Sequence, residues 1–176
     1  MSRLPGIAVL VVLATSTPAL AQRSVPPASP TIGASGGFGA GIDIPVGRLS
    51  GTHTAGYTAM GLVDFSAADQ PFSFRTELVF QHFDHKTTNA LPDENITSIG
   101  ASVLARTPKS TASAYFLGGI GIYHAKVEGT KPGVNFGAGL EVPLTYFVGI
   151  ADVRMHYMLS QGRPAITIPI TLGARF

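Results

Sequence analysis

From residue 33 onward apolar and polar residues alternate with a period of two, interrupted at intervals by turn residues. The spacing predicts eight strands, at about 34–46, 54–66, 72–84, 95–107, 112–126, 134–143, 146–158 and 165–176. In the third, Phe72, Phe74, Thr76, Leu78 and Phe80 share a face opposite Ser73, Arg75, Glu77 and Gln81. The eighth alternates Ile166, Ile168, Ile170 and Leu172 with Thr167, Pro169, Thr171 and Gly173. The fifth has apolar residues on both faces, so alternation does not orient it. Connections after the second, fourth and sixth segments are short; those after the others are mostly longer and more polar. This layout predicts an all-β fold, an eight-stranded antiparallel up-and-down transmembrane β-barrel.

Alternation by itself also fits a secreted soluble barrel of lipocalin type, apolar inside, binding a small apolar ligand. Volume, lysine placement and aromatic placement favour the opposite orientation. An eight-stranded barrel has an interior just wide enough for side chains, and here the bulky residues gather on one face and the small or polar ones on the other. The four lysines, Lys86, Lys109, Lys126 and Lys131, fall in loops or at a strand end, where a water-facing sheet would carry them along its strands. The mid-strand charges are Asp43, Asp64, Arg75, Glu77, Arg106, Glu141, Asp152 and Arg154, a near-balanced set expected to pair within a closed lumen. Phe65, Phe72, Phe74, Tyr115, Phe116, Tyr146 and Phe147, with Phe176, lie at strand ends on the short-turn side and predict an interfacial aromatic girdle.

Upstream, Arg3 precedes the apolar run Ile7–Ala14 and the small-residue stretch Pro18-Ala19-Leu20-Ala21. Residues 1–21 therefore read as a secretory signal peptide, 22–32 as a proline-rich extended leader, and 33–176 as the barrel. Charged residues are 12% of the chain, against about 25% in typical soluble domains. The absence of cysteine excludes disulfides, thiolate zinc sites and a cysteine nucleophile. A formal charge of +2, with scattered basic residues, gives no footprint for nucleic acid.

These residues resemble the small outer-membrane β-barrels, the OmpA transmembrane domain and OmpX-like proteins. The resemblance spans about residues 33–176 and is most specific at Ile168-Pro169-Ile170-Thr171-Leu172-Gly173-Ala174-Arg175-Phe176. It implies location in the outer membrane, contact with its lipid, and recognition of the terminal Phe176 by the barrel-assembly machinery. The segment Ile150–Tyr157 is similar to the seventh strand of these domains. One barrel family of this size, the lipid A deacylases, uses a serine–histidine pair with a downstream carboxylate. Here His156 and Ser160 are close in sequence, but no Asp or Glu follows Asp152, so no catalytic residue is assigned.

The five histidines, His53, His82, His85, His124 and His156, all fall toward the long-loop end. No two stand at a diagnostic spacing, so no metal ligand and no cofactor is assigned. The expected protein is a monomeric, non-enzymatic barrel with a side-chain-filled polar lumen, serving envelope structure or surface interaction through its loops. Eight strands are too few for the wide diffusion pores of about 16–18 strands.

Overall fold

In the computed structural model the described residues are 32–67, 70–86, 92–107, 111–160 and 164–176. The expected signal peptide and residues 22–31 of the leader lie outside them. The elements are β1 (Ile32–Gly47), α1 (Arg48–Thr52), β2 (Gly56–Ala67), β3 (Phe72–Phe83), β4 (Glu94–Arg106), β5 (Ser113–Ala125), β6 (Gly129–Pro143), β7 (Val148–Met158) and β8 (Ala165–Arg175). Each strand pairs antiparallel with its sequence neighbour, and β1 closes on β8 from Gly37↔Arg175 to Gly47↔Ala165. Closure leaves no exposed sheet edge.

The pleat separates the two faces as the alternation predicts. Phe74, Leu78 and Leu172 point outward at 64%, 57% and 71% exposure, while Arg75, Glu77 and Glu141 are buried inside at 0%, 4% and 5%. A soluble barrel with an apolar interior would show the reverse.

Three local departures have identifiable causes. β1 starts at Ile32, one residue ahead of the expected barrel boundary, because Ile32 already pairs with Ala67. β6 begins at Gly129 instead of near 134: the turn 126–128 is tight, Gly129 supplies the required positive φ of 73°, and pairing runs from Ala125↔Gly129 to Ser113↔Glu141. Pro132 and the glycines of that stretch lower strand propensity, but ladder contacts with β5 outweigh it. The first long loop contains the short helix α1, entered through Gly47 at φ 63°. Its Leu49 plugs the mouth of the barrel against Phe83, Ile96, Tyr123 and Met158.

The lumen is not uniformly polar. Met60, Leu62, Val79, Leu104, Leu117 and Ile150 form a buried apolar cluster with Tyr115 between the charged side chains. Tyr115 therefore does not belong to the outer girdle: it is 0% exposed and points inward. With apolar residues on both faces of β5, its register against β6 decides the matter, and Tyr115 stands opposite Gly139. A Cβ at Gly139 would overlap the Tyr115 ring, and one at Gly133 would lie 2.7 Å from Tyr123 Cε2. These two glycines of β6 are the seats for the two lumen tyrosines of β5.

Candidate functional site

The most structured chemistry is the ion network across the short-turn half of the lumen. Its centre is a cross-strand pair: Asp64 on β2 and Arg75 on β3 are directly opposed. Arg75 Nε donates to Asp64 Oδ1 at 2.6 Å and Nη2 to Oδ2 at 2.9 Å, the bidentate fork that a planar guanidinium makes with a carboxylate. Arg106, at the end of β4, donates to Asp64 Oδ2 at 2.9 Å and to Glu141 Oε1 on β6 at 3.0 Å, and also bonds Ser73. Arg175, at the end of β8, reaches Glu141 Oε2 at 3.0 Å and Asp64 at 3.3 Å.

A second rung lies deeper. Arg154 on β7 donates Nε to Asp152 Oδ1 at 2.6 Å and also bonds Glu77 on β3. The Tyr115 hydroxyl donates to Asp152, and the Arg75 guanidinium stands 5.3 Å over the Tyr115 ring. Arg75 Nη1 lies 3.6 Å from Asp152, which joins the two rungs. Asp64, Glu77, Glu141 and Asp152 thus face Arg75, Arg106, Arg154 and Arg175, charge for charge. Each ion of the two rungs is paired, the condition under which burial is tolerated.

Seven of the eight charged residues expected in the lumen network are brought together. Asp43 is not. It is buried nearer the mouth, where Gln81 Nε2 donates to it and to Thr167 Oγ1 at 2.9 Å, and among the described residues no arginine or lysine pairs with it. On β1 it stands opposite Gly56, whereas Ser35 stands opposite Asp64, so about half the strand separates Asp43 from the Asp64–Arg75 pair. Arg175 is the network member that sequence reasoning missed. It lies on the polar face of β8, but its place at the strand end hid its reach into the lumen.

Of the girdle candidates, Phe65, Phe72, Phe74, Phe116, Tyr146, Phe147 and Phe176 all face outward. Register places them near one level: Phe65 opposes Phe74, and Phe72 and Phe116 both oppose Ala105. Phe176 packs its ring 6.1 Å from Phe38 and 6.0 Å from Phe147, spanning the β1–β8 closure and the β7–β8 pair. Its amide donates to Gly36 O at 2.8 Å. At the other end Tyr57 stacks near Phe80 and His82, a second aromatic rung that the sequence pattern did not single out.

His156 points into the lumen, 1% exposed, edge-on to Tyr123. A water-sized void beside it is also lined by Thr58, Met60, Val79, Pro169 and Thr171. Ser160 lies beyond the end of β7, and the carboxylate on the histidine's own strand, Asp152, is taken up by Arg154 and Tyr115.

No family model matches this sequence, and no curated protein does. Solved structures do. Neisserial surface protein A superposes with a TM-score of 0.60 at 14% identity, over 82% of this chain and 97% of its own. The outer membrane enzyme PagL superposes at 0.53 and 11% identity, over 82% of this chain and 99% of its own. The fold is that of a small outer-membrane barrel. The aromatic rungs, apolar exterior and salt-bridged interior are the physical reasons this sequence adopts an outer-membrane-barrel fold.

Proposed function

We propose that the protein is a non-enzymatic, monomeric integral outer-membrane barrel that acts through the surface formed by its long-loop end. The observation that carries this reading is the closed lumen. Its ion rungs join β2, β3, β4, β6, β7 and β8 across the interior, so the cylinder is a rigid scaffold and not a transport path. Function then resides in the segments that the scaffold presents, among the described residues α1, 84–86, 92–93 and the turn 126–128.

An enzyme of the PagL kind is the competing class, since that neighbour is an outer-membrane enzyme. The inward burial of His156 favours the non-enzymatic reading, because an imidazole enclosed by the barrel wall is withheld from lipid outside. In this proposal residues 1–21 are removed on export, the assembly machinery reads Phe176, and the exterior sits in outer-membrane lipid. Detergent extraction with gel mobility that changes on heating tests the membrane assignment. Acyl-chain release from lipid A tests the rest: none is expected, and release abolished by Ser160→Ala or His156→Ala would establish the enzyme instead.

A further inference from the structure

Where β3 leaves the barrel, outward side chains of the β3–β4 hairpin converge on one point. The donor atoms of His82, Asp84 and Asp93 lie within 4.8 Å of one another. The cluster stands just past the Tyr57–Phe80 rung, on the rim, with the His82 ring tilted against that of Tyr57 at 4.9 Å between centroids.

Each of the three is fixed by a group outside the cluster. His82 Nδ1 is 2.6 Å from Asn95 Oδ1. An amide oxygen only accepts, so Nδ1 carries a hydrogen and Nε2 is the ring nitrogen turned toward the carboxylates, with Asp84 Oδ1 at 3.3 Å. Carboxylates gathered about Nε2 favour a positive charge there, supplied by a proton on the ring or by a metal ion between the three groups. The Asp84 carbonyl is held by the Thr54 amide at 2.9 Å, and Asp93 Oδ1 by the His85 amide at 3.0 Å. The charge balance points the same way. The lumen carboxylates of the ion rungs are matched by arginines, whereas among the described residues neither Asp84 nor Asp93 has a lysine or arginine partner.

We propose that His82, Asp84 and Asp93 form a binding site for a divalent transition-metal ion, with zinc the best chemical fit. One imidazole and two carboxylates are an ordinary zinc donor set, and water completes the shell. Asn95 is the orienting partner, holding the second ring nitrogen as groups behind metal-bound histidines do. The nearby His53–His85 pair, with ring centroids 5.3 Å apart, is not part of the site: His53 belongs to the β1–β2 connection, and the Nε2 atoms of both rings are buried. Bound metal would tie the β3–β4 loop to the barrel rim.

The test is a Co²⁺ titration of the folded full-length protein in detergent, read by visible absorption and followed by Zn²⁺ competition. One saturable site displaced by Zn²⁺ is expected. D84N/D93N should abolish it, and Asn95→Leu should weaken it by about 10–100-fold, both with unchanged heat-modifiable mobility. His124→Ala should leave binding as it is. Failure of the folded wild-type protein to show saturable binding would overturn the proposal. So would binding that survives D84N/D93N and disappears in H53A/H85A, which would place the metal on the His53–His85 pair.

Discussion

Asp64 and Arg75 stand directly opposite each other on β2 and β3, both fully buried and joined by two hydrogen bonds. The pair organises the lumen: Asp64 also receives Arg106 and Arg175, and Arg75 reaches on to Asp152. Removing Arg75 would leave carboxylates buried beside a void. Arg75→Ala should therefore destabilise the barrel by about 3–5 kcal/mol. Arg75→Lys should recover only part of that, since an ammonium keeps the charge but not the planar fork. Urea unfolding in detergent, followed by circular dichroism and gel mobility, reads both values.

Gly139 and Tyr115 give a steric prediction. Gly139→Ala would drive a methyl group into the tyrosine ring and toward Ala151 O, 2.6 Å from the new Cβ. Overpacking of this kind costs about 1–3 kcal/mol. Tyr115→Ala in the same chain should relieve the ring clash but not the backbone one, so the double variant should be more stable than the sum of the single losses implies. A double-mutant cycle measures that coupling.

The outward face makes a depth-dependent prediction. Arginine at Leu78, in the middle of β3, should cost about 2–4 kcal/mol in a bilayer, and at Phe72, at the strand end, about 0–1 kcal/mol. Unfolding from lipid vesicles checks the difference. A barrel standing in water would show no such gradient.

Phe176 should matter more for assembly than for final stability. Its ring touches Phe38 and Phe147 on the outside, and none of the lumen ion pairs depends on it. Phe176→Ala is expected to reduce the folded fraction in cells while protein refolded in detergent keeps its heat-modifiable mobility. Pulse-labelled membranes compared with refolded protein would show the split.

Much of the barrel was legible because a strand writes its two faces at alternate positions. Alternation sorts Arg75, Glu77, Glu141 and Asp152 onto the polar faces with no knowledge of register, and side-chain volume with lysine placement turns those faces inward. What remained hidden needed register or turn geometry. Tyr115 looks like a girdle residue by position, and only its meeting with Gly139 turns it inward. Asp43 looks like one more network carboxylate, yet its height along β1 sets it beside Gln81 and not an arginine. Arg175 was overlooked because a strand end marks neither reach nor partner. The His82 cluster was illegible for a similar reason: Asp84 and Asp93 are brought together by the β3–β4 hairpin, and neither stands at a spacing that signals metal.

The central claim is that the outward face lies in hydrocarbon, and the chain's lack of cysteine makes it directly measurable. A nitroxide attached at Leu78→Cys or Leu172→Cys, in protein folded into lipid vesicles, should collide readily with dissolved oxygen and hardly with a water-soluble nickel complex. One on the 144–147 turn at Tyr146→Cys, where the native side chain is 88% exposed, should meet the nickel complex freely. Free access of the nickel complex to the labels at Leu78 and Leu172 would contradict the account.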